Sequence, residues 1–240
     1  MKVSQSLIKD ILPVDFCSHF IHLRYVEGSK TAPSTAMENG LFFESELLGS
    51  ARGGKFELPR KKNGEPYKRE TDLLENVEYA KAIFEELNVK IDEVQPYKEK
   101  DGRSGHLDAK GSVKGNKAII DVKWTGESRV RWWSTFHKMW KEHFNIQSRH
   151  YQSLMDDELD FYFFIFGASN WCEVIHIKYD KEAVIHHIEN VSDIAKYKFE
   201  NLQDYEFTAT FNKCNECKLN KICQKKIVIP EILEWHDLVN

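Results

Sequence analysis

The sequence predicts an α/β (α+β) fold, a central mixed β-sheet flanked by helices, and three observations carry that expectation. Helical patterns come first, over 4–25, 38–50 and 71–87. Three strand-like segments follow, at 89–97, 105–110 and 118–124. A further helical region then leads into two more strands, 159–166 and 173–179. Such an order suits a sheet covered by helices. With 240 residues, 41% of them hydrophobic, the chain can bury a substantial core as one large domain spanning 1–240.

Each element has its own signal. Ser4 or Ser6 caps the first helix, and Ile8, Ile11 and Leu12 give it one apolar face despite Pro13. The second helix contains Gly40-Leu-Phe-Phe-Glu44, and 53–68 is rich in Lys, Gly and Pro and reads as a hairpin or loop. Leu73, Leu74, Val77, Ala80, Ile83 and Phe84 recur at helical spacing in the third. Residues 129–155 form a long aromatic-rich helical region with a break expected near Phe144-Asn145. The two late strands join through Gly-Ala-Ser-Asn, 181–198 is helical, and the tail from Thr208 holds the cysteines.

A net charge of −4 excludes a uniformly basic nucleic-acid binder, but the charge is uneven. Residues 55–69 hold six basic side chains against Glu57 and Glu65, 123–149 six against Glu127 and Glu142, and 213–226 five against Glu216. Local positive segments can focus a field on a polyanion in an acidic protein, or simply be solvated faces. No apolar run reaches the roughly 20 residues of a membrane span, and the start lacks a secretory signal. A soluble cytoplasmic protein is expected, and five cysteines there point to metal or redox chemistry rather than disulfides.

The stretch Gly105–Gly126 carries the chemistry. Two strands around a polar turn hold Asp108 and then Asp121-Val122-Lys123. Alternation places Asp121 and Lys123 on one face and Val122 on the other, and the hairpin brings Asp108 beside them. Two carboxylates and an ammonium are costly to gather unless an ion or chemistry uses them. The carboxylates suit Mg²⁺ and the lysine a water or charge developing at phosphorus, which outlines a metal-dependent phosphodiesterase. The spacing alone is more often that of a solvated strand with a surface ion pair.

Cys214, Cys217 and Cys223 form C-x2-C-x5-C and need a fourth ligand from elsewhere. Cys17 leads; Cys172, on a strand, competes but suits a small buried hydrophobe. Four cysteines fit structural Zn²⁺ or an iron–sulfur cluster, and a single knuckle with a wider gap leans toward the cluster. Such a site would clamp 1–25 to 208–226. Gln147 and Tyr151 stand one helical turn apart, with Arg149 and His150 off that face. Trp124, Trp132, Trp133, Phe136 and Trp140 lie among Arg129, Arg131, Lys138 and Lys141, a mixture suited to single-stranded nucleic acid, although most of these rings are expected in the core.

In order, Ser4-x-Ser6 with Cys17, Gly105-His-Leu-Asp108, Asp121-Val-Lys123-Trp-Thr-Gly126, Gln147-x3-Tyr151 and the cysteine trio resemble the PD-(D/E)XK superfamily. Within it the chain resembles RecB-like nucleases with an iron–sulfur cluster: the AddB nuclease domain, CRISPR-associated RecB-like exonucleases and exonuclease V. The resemblance implies a restriction-endonuclease-like core. It implies that Asp108, Asp121 and the Val122 carbonyl bind Mg²⁺ or Mn²⁺ and that Lys123 positions the attacking water. It further implies that Gln147 and Tyr151, with Arg149 nearby, contact substrate, and that Cys17, Cys214, Cys217 and Cys223 hold a [4Fe–4S] cluster, with structural Zn²⁺ the alternative. Where the group has a histidine, this chain has Glu44, with Glu46 as fallback; an all-oxygen site would favour Mg²⁺. The implied activity is DNA cleavage, exonucleolytic on single strands or duplex ends, in repair, recombination or phage-type processing of a bacterial or phage-infected cell. A helicase or other DNA-processing protein would be the partner. The alternatives are a DNA-binding subunit that cuts weakly and a zinc-stabilised protein of unrelated function.

Overall fold

The computed structural model describes residues 2–30, 33–137, 141–205 and 211–223. The chain divides into two compact units: Met1–Gln5 with Pro33–Ser192, and Ser6–Ala32 with the segment from Asp193 onward.

The first unit is built on a five-stranded sheet. Its strands are β2 (Lys90–Val94), β5 (Ala109–Val113), β6 (Asn116–Thr125), β7 (Asp160–Gly167) and β8 (Trp171–Ile177), in the order β2-β5-β6-β7-β8. Only β6 and β7 run parallel. The crossover between them is helical, α5 (Arg129–Thr135) and α6 (Lys141–Ser153), as a parallel pair requires. A second sheet pairs β1 (Val3–Ser4) parallel to β4 (Arg103–His106), which is antiparallel to β3 (Tyr97–Lys100). The expected mixed sheet flanked by helices is therefore present.

Alternation along the two central strands divides the core. Ala118, Ile120 and Val122 of β6 and Tyr162, Phe164 and Phe166 of β7 pack with Phe42 and Phe43 of α3 (Thr35–Leu48) and with Leu73, Val77 and Ala80 of α4 (Lys68–Glu86). Ile119, Phe161, Phe163 and Ile165 face the other way, against Trp132, Phe136, Phe144, Tyr151 and Leu154 from the α5–α6 side. Phe161, Phe163, Phe164 and Phe166 are fully buried, each contributing roughly 1.5–3 kcal/mol of apolar transfer. With helices on both faces, β7 reads as a continuous apolar run rather than an alternating strand.

Several boundaries differ from the sequence expectation. The first helical stretch is not continuous: Val3 and Ser4 are strand, and α1 (Gln5–Ile11) stops before Pro13, whose ring cannot extend the preceding turn. Cys17 then caps α2 (Ser18–Ile21), its sulfur accepting from Phe20 N at 3.4 Å, and a π turn runs through Val26. The segment expected as one strand over 89–97 is two, β2 and β3, separated by Gln95 in the left-handed region at φ 53°. Helix α6 continues unbroken through Phe144 and Asn145; it is α5 that ends early, and Lys138 and Trp140 lie outside the described residues. Residues 181–198 also divide, into α7 (Lys181–His187), a π turn and α8 (Asp193–Glu200).

The second unit gathers both ends of the described chain. Phe16 and Tyr205 pack ring to ring at 5.0 Å, and Lys198 Nζ donates to the carbonyls of Ile11 and Leu12. Lys213 binds Asp15 through both its carboxylate (2.6 Å) and its carbonyl (2.9 Å). Of the cysteine tail expected over 208–226, residues 208–210 and 224–226 lie outside the described residues.

Candidate active site

The hairpin expected over 105–126 is β5 and β6, joined by a two-residue turn at Lys114-Gly115 with both residues left-handed (φ 51° and 85°), the twist that suits a tight hairpin. Asp108 sits just ahead of β5 rather than within a strand. Its Oδ2 accepts from Val122 N at 2.9 Å, which ties the Asp108 loop to the middle of β6.

Strand parity decides what β6 presents. Val122 enters the α3–α4 core, while Asp121 and Lys123 share the opposite face, and Lys123 Nζ lies 2.7 Å from Asp121 Oδ2. The contact is electrostatic: Oδ2 is buried and receives no bond at hydrogen-bonding angles. Asp121 Oδ1 accepts from Gln147 Nε2 of α6. The Lys123 ammonium sits 5.8 Å from the centre of the Phe144 ring and 5.6 Å from that of Phe163, so aromatic faces floor it.

Glu44 reaches the same place from α3. Its Oε1 accepts from Gln95 Nε2, and Gln95 N also donates to the Asp108 carbonyl at 2.9 Å. Gln95 thus braces two acidic positions from one strained residue. Sequence reading missed it, and only its place before Pro96, at the end of a strand pattern, marked a turn there. Glu44, not Glu46, carries the signature of the site. Burial and then the Asp121 charge push its carboxyl up to about 7, against the opposing pull of Lys123 and Gln95. Burial, then Asp121 and Glu44, hold Asp108 well above the usual carboxylate range. Burial would lower Lys123, but Asp121 and Asp108 outweigh it and keep the ammonium charged.

Three acids against one lysine leave an excess of two negative charges when all ionise, the charge of one divalent cation. The donor set, carboxylate oxygens with the Val122 carbonyl on the same strand, is that of a hard cation, so the residues fit Mg²⁺ or Mn²⁺ in kind. Among the described residues, no three His, Cys, Asp or Glu side chains already stand at coordinating spacing.

Gln147 and Tyr151 lie on one face of α6, as their spacing predicts. Tyr151 is buried, with burial and then Asp121 and Asp108 raising its pKa, and its ring stacks on Phe161 at 6.1 Å. Gly105 makes room for it: a Cβ there would lie 2.6 Å from Tyr151 Cε1. His150, on the back of the same helix, is fully buried and bonds the Ser104 carbonyl at 3.0 Å. Arg149 is not brought to the acids; it donates to Gln152 Oε1 (2.9 Å) and the Lys178 carbonyl (3.0 Å). Trp132 and Phe136 are core, Trp124 Nε1 donates to Asn76 and Trp133 Nε1 to Glu173.

In the second unit, Cys17, Cys214, Cys217 and Cys223 line one cavity of about 340 Å³. The Cys17 thiol is pushed up chiefly by burial, partly offset by the N–H groups of Phe20 and His19, and it feels Cys217 and Cys223. Cys217 Sγ accepts from Leu219 N at 3.4 Å. Four cysteines are the donor type of Zn²⁺ or an iron–sulfur cluster, although among the described residues no three of them stand at coordinating spacing. Cys172 belongs to β8 of the first unit, its thiol raised to about 12 mainly by burial.

No family model and no curated protein matches the sequence. Solved structures share its fold. A protein of Eubacterium rectale assigned as an exonuclease superposes with a TM-score of 0.67 over 99% of this chain and 92% of its own, at 16% identity. An alkaline exonuclease of Laribacter hongkongensis gives 0.51 over 85% and 90%, at 14% identity. The same enzyme bound to dAMP gives 0.50 over the same shares.

Proposed function

We propose that the protein is a divalent-metal-dependent deoxyribonuclease of the RecB-like PD-(D/E)XK type, acting as an exonuclease on single strands or duplex ends. The observation that carries this reading is the meeting of Glu44, Asp108, Asp121 and Lys123 at one place, from α3, the β4–β5 connection and β6. A shared fold with two exonucleases supports it. DNA as substrate is in keeping with the dAMP bound by one of them.

Glu44, Asp108, Asp121 and the Val122 carbonyl would hold Mg²⁺ or Mn²⁺, which when bound supplies Lewis-acid polarisation of a phosphodiester and a more acidic water. Lys123, kept protonated by its acidic neighbours, orients a water or meets negative charge growing on the phosphate oxygens. Gln147 fixes the Asp121 rotamer through Oδ1, leaving Oδ2 to face the Lys123 ammonium. Gln95 does the same for Glu44. Phe144 and Phe163 beneath Lys123 keep bulk water from one side of the ammonium.

Cys17, Cys214, Cys217 and Cys223 would hold a [4Fe–4S] cluster whose role is to fasten the two chain ends. End-labelled single- and double-stranded DNA incubated with the protein and Mg²⁺ or Mn²⁺ tests the activity. Labelled mononucleotides or short products that vanish with chelator are expected; intact DNA under every metal condition would reject the nuclease reading.

A further inference from the structure

The ribbon that carries Asp108 continues past the acidic site and there presents an aromatic pair. Gln95 N donates to the Asp108 carbonyl (2.9 Å) and Leu107 N to the Pro96 carbonyl (3.1 Å). Those two bonds join the β2–β5 ladder, which ends with Val94 opposite Ala109, to the β3–β4 ladder, which opens with Tyr97 opposite His106. The pairing therefore runs without a slip across the bend: Gln95 faces Asp108, Pro96 faces Leu107, and Tyr97 faces His106. At about 3.4 Å per residue, the Tyr97–His106 rung lies no more than about 7 Å along the ribbon from Asp108. Gln95, on the Asp108 rung, is also the residue bonded to Glu44.

Tyr97 and His106 are both exposed, with ring centres 4.9 Å apart and planes tilted by 48°. Tyr97 keeps 48% of its surface open to solvent, whereas Trp132, Phe136, Phe144 and Phe163 are closed into the α5–α6 core. Two other tyrosines are as exposed, but Tyr67 precedes α4 and Tyr197 belongs to the second unit. Among the described residues, neither is tied to the acids by a hydrogen bond or a strand register. Lys2 Nζ stands 5.8 Å from the Tyr97 ring centre and is paired with Glu99, so it brings no net charge to the rings. Cross-strand packing alone would be served equally by rings turned to a core. Two exposed rings on the ribbon that enters the site instead offer an uncharged π surface, which any nucleobase can stack on.

Resting on the nuclease reading, we propose that Tyr97 and His106 form a stacking platform for a nucleobase of the DNA strand, one or two nucleotides from the phosphate bound at the acids. The contact is with the face of the base and is indifferent to its identity.

The test measures binding of fluorescently labelled single-stranded DNA in chelator, by anisotropy, and cleavage of the same strand in Mn²⁺. Wild type, Tyr97→Ala, Tyr97→Phe and His106→Ala are compared, each checked for folding by circular dichroism. The strand is used intact and as a series with one abasic residue at a time, which removes a base and keeps every phosphate. In wild type, one abasic position near the cleaved end should weaken binding about five- to 150-fold, the range of a single base–aromatic stack. Tyr97→Ala should bind the intact strand correspondingly less tightly and no longer distinguish that position. Tyr97→Phe should behave as wild type, and His106→Ala should fall between. The dependence of affinity on salt should be the same in all four, because no phosphate contact is lost. A folded Tyr97→Ala that binds like wild type, or that still distinguishes the abasic position as wild type does, would overturn the platform while leaving the nuclease reading in place. If Tyr97→Ala does not fold, the other series decide: a position sensitive in wild type and muted in His106→Ala supports the platform, and no sensitive position overturns it. Wild type with a Tyr97-dependent abasic position but no cleavage would overturn the nuclease reading and leave the platform standing. Absence of both binding and cleavage in wild type would sink both.

Discussion

Replacing Gly105 by alanine tests how α6, the helix of Gln147 and Tyr151, is seated. The added methyl would fall 2.6 Å from Tyr151 Cε1, 3.1 Å from Cδ1 and 3.2 Å from Leu154 Cδ1. The ring cannot swing away easily, because it stacks on Phe161 at an interplanar angle of 15°. Either Tyr151 leaves its position or α6 lifts from β4. Both moves strain the Gln147–Asp121 and His150–Ser104 bonds made by the same helix. Overpacking of this kind costs about 1–3 kcal/mol. At roughly 2–4 °C per kcal/mol for a chain of this size, the Tm should fall by about 2–12 °C. The control is the double variant: Tyr151→Leu removes the ring, so adding Gly105→Ala to it should cost almost nothing. Thermal unfolding of all four proteins gives the coupling directly, expected on the order of 1–2 kcal/mol. If Gly105→Ala costs as much in the Tyr151→Leu background as in wild type, or nothing in either, the close-packing account is wrong.

Two further outcomes follow from buried groups. His150 and His187 stand 5.7 Å apart, and burial above all lowers them to about 4 and about 3 from the ordinary 6.5. The unfolded chain therefore takes up protons first as pH falls: the stability these neutral rings contribute is complete above pH 6.5 and is lost on acidification toward 4 and 3. For His150 alone this is on the order of 3 kcal/mol. His150→Gln, which can still donate to the Ser104 carbonyl, should flatten the fall in stability between pH 6.5 and 4 in urea titrations. A profile parallel to wild type would show that His150 does not titrate in this window. For the cysteine cavity, protein purified without oxygen should be brown and contain iron, and Cys217→Ser should lose both; zinc without iron would replace the cluster by a structural zinc site.

The face of β6 was legible in the sequence because the strand is regular and paired on both sides, so parity alone separated Asp121 and Lys123 from Val122. The Lys114-Gly115 turn and the one-turn spacing of Gln147 and Tyr151 were legible for the same reason, being set by local geometry. What stayed hidden depends on contacts between distant segments. Gln95 meets Glu44 from 51 residues away, and Gly105 matters because of a ring that α6 brings to it. His150 was set aside as lying off the Gln147–Tyr151 face; its own side of the helix is not solvent but a second packed surface, closed by the Ser104 carbonyl. Helix starts were less legible. Helix α4 begins at Lys68, ahead of the expected 71, with no side-chain cap at Tyr67, and α3 begins at Thr35, ahead of the expected 38, although Ser34 caps it. Helix α5 starts at 129 as expected, where Ser128 accepts from Arg131 N.

The central claim is that Asp121 and Lys123 form the working face of a metal-dependent nuclease. Single-turnover cleavage of end-labelled DNA in Mn²⁺ by wild type, Asp121→Asn and Lys123→Ala measures it most directly. Wild type should cut and lose activity in chelator, while each variant, folded by circular dichroism, should be slower by at least about 10²-fold. Wild-type rates in both folded variants would contradict the account.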